Sequence, residues 1–390
     1  MTPATQISVL SCFLYADHEP LSFNPELSMA HPDTPAAAPV RQLSLFDTVC
    51  INVGIIIGAG IYQSTPFIAS NVGGPWGLVG VWVFGGAVAL VGALCYGELT
   101  TAFPRQGGEY VFLSRAFGRR AGLLFAWCEF WIVRPGNIGF IALVGGIYAS
   151  QLLREDLRPV GRLWFALGAI VALTAINVLG VRMAKWTQNV LSVIKVGGLA
   201  AVVLISFVLL KPANAPAAAV PTGTSAEQTT NPPASPAPAS TDFHLAMIFV
   251  LFAYGGWNEM SNVAAEVREP HKNLWRGLVL SAAAVATIYV LVNLAAVRAL
   301  GYSGVVKSEA VAADVVALRF GDSGRALISG LICLSCLGSV NGYLFTGARL
   351  TYAMGAEHPA FAWLGGWDRR FGTPVRALLL QAVVFRVNQA

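Results

Sequence analysis

The sequence predicts an all-α polytopic membrane protein, and three observations support that fold class. Hydrophobic residues make up 55% of the 390-residue chain and charged residues only 12%, whereas soluble domains carry about 25% charged residues. Several apolar runs reach the length of a membrane-crossing helix, about 20 residues. Two of these runs contain glycines near their centres. The net charge of +5 needs no nucleic-acid partner, because membrane proteins carry extra Lys and Arg in the loops on one side.

The two interrupted runs are the most informative part of the chain. The first contains Ile55–Tyr62 (IIIGAGIY), and the second contains Phe252–Asn258 (FAYGGWN). A break inside a membrane helix leaves backbone groups unpaired, which is tolerated only where the break is buried in protein or lines a cavity. Two such breaks, in corresponding places of two halves, are the best sequence indication of a transporter's binding site.

The chain divides into a tail, two helical halves and a linker. We predict a disordered cytoplasmic tail at 1–42 (with Met29 as a candidate start), a first repeat at 43–211, an external Pro/Ala/Ser/Thr-rich linker at 212–241 and a second repeat at 242–390. The predicted spans are 45–69, 77–102, 121–149, 162–181, 187–210, 243–263, 277–300 and 324–354, with a ninth beginning near 375.

The basic residues favour an N-terminus in the cytoplasm of a multi-pass protein of the cell (inner or plasma) membrane. The loops on the N-terminal side contain Arg105, Arg115, Arg119, Arg120, Arg182, Lys185, Arg268, Lys272, Arg276, Arg369, Arg370 and Arg376. The opposite loops are poorer in basic residues, apart from Arg154, Arg158 and Arg162, which Glu155 and Asp156 offset.

Several short stretches occur in a fixed order between about residues 43 and 380. They are Gly58–Ile61, Gly73–Pro75, Ala93–Leu99, Phe103–Tyr110, Arg134–Gly136, Asn189–Val190 with Lys195, Phe252–Asn258, Glu269–Pro270 with Asn273–Leu274, and Gly338–Gly342. Together they resemble the amino acid–polyamine–organocation superfamily, and within it the L-type amino acid transporter group. Any single stretch is a weak signal, but the ordered set is specific.

This resemblance implies a leucine-transporter-like inverted-repeat fold with discontinuous first and sixth helices, and alternating access without sodium. It also implies a binding site for an amino acid. The backbone N–H groups at Ile57, Gly58, Ala59 and Gly60 would meet its carboxylate, carbonyls at Phe252, Ala253 and Gly255 its ammonium, and Asn258 would hydrogen-bond nearby. A zwitterion needs donors on one side and acceptors on the other, and two facing broken helices supply both.

Lys195 is the most informative ionisable residue, because it lies inside the apolar run 190–210. It resembles the family's lysine at the place where sodium binds in sodium-coupled relatives. Its ammonium could tie the first span to the eighth near Ser335 and Ser339. Two interpretations stay open: a fixed charged strut, or a proton carrier.

Other polar and aromatic residues allow more than one role. Glu259 could form a salt bridge in an inner gate, titrate during transport or select a cationic substrate; Tyr254 and Trp257 could be gate lids or packing residues. Glu129 and Arg134 are five apart, a spacing at which direct pairing cannot be assumed. Finally, Glu98 and Glu109 could pair with nearby arginines as an inner latch.

The chain departs from the family pattern in three places. It stops partway through the ninth span, so we expect a C-terminally truncated second repeat. The loop Ser150–Arg162 lacks the cysteine that ties animal relatives to a heavy chain, so no disulfide-linked heavy chain is expected. Ala59 stands where many relatives have a hydroxyl side chain.

The predicted function is therefore sodium-independent transport of neutral amino acids across a lipid bilayer, by exchange or by proton-linked uptake. The alternative is a non-transporting remnant or a membrane sensor that binds amino acids. An enzyme is not expected, since the spans hold no HExxH motif and no GxSxG serine. Cys333 and Cys336 have metal-ligand spacing but no second pair, so we expect no metal and no cofactor.

Overall fold

The structure is a computed structural model that describes residues 39–151, 158–212 and 242–387. Most of the predicted tail, nearly all of the predicted linker and the middle of the loop 150–162 lie outside these ranges. Within them the chain is helical, and extended backbone pairs only at isolated bridges such as Leu43 with Val267 and Gln106 with Val263. The predicted all-α class is confirmed.

Twelve α-helices are described. They are α1 (Leu45–Ile56), α2 (Gly60–Ser70), α3 (Pro75–Ala102), α4 (Glu109–Phe117), α5 (Arg119–Cys128), α6 (Arg134–Ser150), α7 (Arg158–Val178), α8 (Val181–Leu204), α9 (Phe243–Ala253), α10 (Pro270–Lys307), α11 (Val311–Glu357) and α12 (Val375–Val387). Two π-helical turns, Glu129–Val133 and Ile205–Leu209, continue α5 and α8, and 3₁₀ turns follow α9 and α11.

Six helical segments among the described residues are long and apolar enough to cross a membrane, or seven if the bent pair α1 and α2 is counted as one span. The two members of that pair meet at an angle of 47°. Helices α9 and α12 are shorter apolar helices. The chain is therefore a multi-pass membrane protein, as its composition predicts.

Helices α10 and α11 extend beyond the predicted spans because each contains a glycine at which the helix changes direction. Gly301 in α10 has φ 69° and Gly321 in α11 has φ 56°, values that glycine adopts without a steric penalty. The predicted spans 277–300 and 324–354 stop at these two kinks. Between the kinks, the end of α10 and the start of α11 contribute Val305, Val311 and Val315 to the buried core.

Close packing of α3 against α9 and α10 sets the position of the second break. Gly85 lies so close to α9 that an added Cβ would stand 2.3 Å from Val250 Cγ1. Small residues of this kind let membrane helices approach closely. The rings of Trp82, Tyr254 and Tyr289 fill the space beside this contact at centroid distances of 5.1–5.7 Å. This aromatic cluster holds the end of α9 against α3.

Candidate substrate-binding site

The first break separates α1 from α2 at residues 57–59. Helix α1 begins with a capping box, in which Ser44 and Asp47 each accept a hydrogen bond from the other's backbone N–H. It ends when Ile57 leaves the helical region at φ −76°, ψ 80°. Helix α2 then begins at Gly60 without any side-chain cap. The backbone groups of residues 54–61 must therefore find other partners.

Lys195 and two serines satisfy the carbonyls of this break. The Lys195 ammonium donates to Gly54 O at 2.7 Å, to Ile57 O at 2.8 Å and to Ser335 O at 2.9 Å. The Ser335 hydroxyl donates to Ile57 O at 2.9 Å, and the Ser339 hydroxyl donates to Gly54 O at 2.9 Å. Lys195 has no solvent exposure. The ammonium thus joins α1, α8 and α11 at one point.

The backbone N–H groups at the break, unlike its carbonyls, are only partly satisfied. Ile57 N–H donates to Val53 O and Gly58 N–H donates to Ile56 O. Among the described residues, no backbone acceptor faces the N–H groups of Ala59, Gly60 and Ile61. Two of the predicted donors, Ala59 and Gly60, are therefore free, whereas Ile57 and Gly58 are bonded and Ile61 is a further free donor. The free donors sit at the N-terminus of α2, where the helix dipole favours an anion.

The second break follows α9, which ends at Ala253. The chain turns through Gly256 at φ 95° and resumes as a 3₁₀ turn at Glu259–Asn262. Phe252 O accepts from Gly255 N–H, and Ala253 O accepts from the Tyr289 hydroxyl at 3.2 Å. Each carbonyl oxygen has a second lone pair that can accept another donor. The C-terminal end of α9 also carries partial negative charge, which favours a cation.

Gly256 cannot be replaced without disturbing both breaks. An L-residue at φ 95° is strained by about 1–2 kcal/mol, and an added Cβ would stand 2.7 Å from Ile55 Cγ2. We expect Gly256→Ala to weaken amino acid binding and to lower the melting temperature of the purified protein.

The matched control for this prediction is Gly197→Ala on α8, where an added Cβ meets nothing within 4 Å. That change should stabilise the helix by about 0.5–1 kcal/mol. Equal melting temperatures and equal binding for the two variants would contradict the prediction.

The two breaks face each other across one cavity of about 270 Å³. They also approach each other at Gly60, where an added Cβ would stand 3.1 Å from Ala253 Cα. The cavity is lined by Ile55, Ile56, Gly58, Ala59, Gly60, Glu129, Val133, Asn137, Phe140, Ile141, Phe252, Ala253, Gly255, Gly256, Asn258, Glu259 and Tyr343. Backbone N–H donors at the start of α2 and backbone carbonyls at the end of α9 therefore lie on opposite sides of one cavity.

Seven of the eight predicted binding residues line this cavity, whereas Ile57 and the gate candidates Tyr254 and Trp257 do not. Ile57 is fully buried behind it, with its carbonyl on Lys195. The Tyr254 hydroxyl donates to Trp82 O at 2.9 Å on α3, and the Trp257 ring packs on Tyr96 at a centroid distance of 5.0 Å. Both side chains therefore pack against α3.

Sequence reasoning missed the wall contributed by the third span and by α11. Asn137, Phe140 and Tyr343 line the cavity, and Phe140 packs edge-to-face on Phe252 at a centroid distance of 6.1 Å. The apolar periodicity of these spans gives no indication of which turn faces the cavity. The Arg134–Gly136 stretch is the nearest signal, since it ends one residue before Asn137.

Beside the cavity, Arg134 lies between two carboxylates. Its Nε donates to Glu129 Oε2 at 3.0 Å, and its Nη1 lies 2.8 Å from Glu259 Oε2. Glu259 also accepts from Thr346 at 2.7 Å. The direct pair with Glu129 arises because residues 129–133 form a π-helical turn, in which side chains five apart lie on one face.

Contacts among buried charged side chains close the bundle on the side where α1 begins, which we call the tail side. Glu266 accepts from Arg349 at 2.9 and 3.2 Å and from Gln106 at 2.8 Å. Asp47 accepts from Lys185 at 2.9 Å. The predicted latch from Glu98 and Glu109 to nearby arginines is not found among the described ion pairs; Glu98 is exposed, and Glu109 accepts from Asn258 instead.

Two broken membrane helices that face each other around a cavity define a membrane transporter with a central binding site. The chain matches the amino acid permease family over residues 43–386. It belongs to that family, which confirms the predicted superfamily and makes the protein a transporter rather than an enzyme.

Individual relatives agree with this assignment. The b(0,+)-type amino acid transporter 1 of Mus musculus is 29% identical over 351 residues, covering 88% of this chain and 69% of that protein. Large neutral amino acids transporter small subunit 2 of Homo sapiens is 31% identical, covering 88% and 63%. Asc-type amino acid transporter 1 of Mus musculus is 29% identical, covering 87% and 63%.

Solved structures support the fold. A sodium-coupled sialic acid symporter, in a substrate-bound outward-open state, superposes with a TM-score of 0.57 at 14% identity over 89% of this chain and 72% of that chain. A nucleobase–cation symport-1 family transporter gives 0.54 at 14% identity, over 91% and 74%. These likenesses concern the fold alone, and they confirm the predicted leucine-transporter-like architecture.

Proposed function

We propose that this permease carries neutral amino acids across the membrane by alternating access, without sodium, in exchange or together with protons. The main support for this proposal is the arrangement of the two breaks around one cavity. Free N–H groups of Ala59 and Gly60 line the cavity and suit a carboxylate, and the carbonyl end of α9 suits an ammonium. Any neutral amino acid presents both groups.

Sodium independence follows from Lys195. A cation held among the carbonyls of a broken helix needs several oxygen ligands, and here the ammonium already occupies three of them. A fixed positive charge in that position also opposes the entry of a second cation, because like charges at short range in a low dielectric repel strongly.

The basic loops support a cell-membrane protein with its N-terminus in the cytoplasm, with residues 43–211 and 242–390 as its two repeats. The absence of cysteine from the loop 150–162 supports transport without a disulfide-linked heavy chain. The lipid bilayer and an amino acid are then the partners that the activity requires.

The test is counterflow in proteoliposomes that contain the full chain. Vesicles loaded with unlabelled L-amino acids and diluted into sodium-free buffer should accumulate tracer from a mixture of radiolabelled L-amino acids. Added sodium should leave the rate unchanged. Binding of tracer without flux would instead identify an amino acid sensor, and flux that requires sodium would contradict the role given to Lys195.

A further inference from the structure

Glu109 is a buried carboxylate at the tail side of the cavity. It is the first residue of α4 and follows Gly107 and Gly108, whose φ angles are 103° and 43°. These glycines let the loop lie against the 3₁₀ turn after the second break, where Gly107 N–H donates to Asn262 O at 3.1 Å. An added Cβ at Gly108 would stand 2.3 Å from Ser261 Oγ. The close approach buries Glu109, which is 8% exposed.

The groups around Glu109 do not neutralise its charge. Its Oε1 accepts a hydrogen bond from Asn258 Nδ2, and Glu259 and Tyr96 face it from the second break and from α3. The positive charge that acts on Glu109 is that of Arg134, which is already paired with Glu129 and Glu259. No ion pair in the described parts of the chain includes Glu109. Three carboxylates therefore surround one guanidinium.

A buried carboxylate without a counter-charge is more stable when protonated. Burial has the largest effect here, and the neighbouring charge of Glu259 adds to it; together they raise the pKa of Glu109 to about 7. The group is thus protonated below about pH 7 while the loop is docked. It loses that proton as the pH rises through this value, or when water reaches the carboxylate.

The position of Asn258 connects this carboxyl to the substrate. Asn258 lines the cavity, so a molecule bound there contacts the residue that holds Glu109. A protonated carboxyl can still accept the Asn258 hydrogen bond through its carbonyl oxygen. An ionised one adds an uncompensated charge beside Glu259. Protonation therefore favours the docked loop, and opening of the tail side favours release of the proton.

We propose that Glu109 is the proton-binding site of this permease, and that the proton it takes up from the cavity side leaves on the tail side when the loop 103–108 separates from Asn258. This inference rests on the proposed function and specifies its proton-linked form. One proton moves with each amino acid, and the carboxyl O–H is the one bond that forms and breaks.

The first test uses proteoliposomes of the full chain with Glu109→Gln and the control Glu98→Gln, which changes an exposed glutamate. An inwardly directed gradient of about two pH units can drive up to about 100-fold accumulation of a labelled amino acid, since each unit is worth a factor of ten. The wild type and Glu98→Gln should accumulate tracer and acidify the vesicle interior. Glu109→Gln should keep counterflow but lose both effects. Gradient-driven accumulation by Glu109→Gln would overturn the proposal.

The second test does not depend on transport and separates failure of this proposal from failure of the proposed function. The infrared carbonyl band of a protonated carboxyl should disappear near pH 7 in the wild type and in Glu98→Gln, and should be missing from Glu109→Gln. Glu109→Asp provides a second variant that keeps a titratable group and should shift the midpoint. A wild-type spectrum without such a band, or one that Glu109→Gln leaves unchanged, would overturn the proposal even where counterflow is intact.

Discussion

Replacing Lys195 with methionine is expected to reduce counterflow by more than tenfold. The ammonium donates to three carbonyls on α1 and α11, and each hydrogen bond from a charged donor is worth about 1.5–3 kcal/mol. Methionine keeps the length of the side chain but supplies no donor. A loss of about 1.4 kcal/mol in the rate-limiting step already corresponds to a factor of ten. The measurement is the initial rate of tracer uptake in proteoliposomes.

Lys272→Met is the matched control, because Lys272 lies on the surface in an exposed pair with Glu269. Its uptake should equal that of the wild type. The pH dependence of any residual uptake separates the two roles considered for Lys195: a fixed strut leaves the pH profile in place, and a proton carrier removes it. Full transport by Lys195→Met with an unchanged profile would exclude both roles.

Breaking the pair between Arg349 and Glu266 is expected to give the largest loss of stability. Both side chains are fully buried, and Arg349 Nε lies 2.9 Å from Glu266 Oε1. Removing one partner of a buried ion pair leaves an uncompensated charge and costs about 3–5 kcal/mol. Arg349→Met should therefore lower the melting temperature of the detergent-solubilised protein markedly.

The double variant Arg349→Met with Glu266→Gln should recover most of that loss, since it removes both charges and keeps an oxygen for Gln106. Arg325→Met is the control, because its pair with Asp314 is 60% and 28% exposed and such surface pairs contribute at most about 1 kcal/mol. A double variant as unstable as Arg349→Met alone would show that packing, rather than charge, accounts for the effect.

The two breaks and the cavity between them could be predicted because their cause is local. Glycines at Gly58, Gly60, Gly255 and Gly256 interrupt apolar runs that otherwise favour continuous helices, and only a cavity or buried protein tolerates that in a membrane. The full set of free donors could not be predicted in the same way. It depends on whether Ile57 N–H still bonds within α1, and a difference of one residue in a helix end is beyond pattern arguments.

The cluster of Glu129, Arg134 and Glu259 could not be predicted from the sequence for a different reason. Glu129 and Arg134 are brought together by a π-helical turn, and an argument based on 3.6 residues per turn places them on different faces. Pro135 is a related signal, because a proline has no N–H to donate within the helix. Glu109 was also paired differently from the expectation, since its partner Asn258 is 149 positions away in the sequence.

Tyr289 connects the two breaks. Its hydroxyl lies 3.0 Å from Ile56 O and 3.2 Å from Ala253 O, and a hydroxyl has only one proton to donate. One hydrogen atom is thus shared between the ends of α1 and α9. If the ends of α1 and α9 moved apart, the hydroxyl would lose contact with one of its two acceptors. Tyr289 therefore favours movement of the two half-helices together as one body.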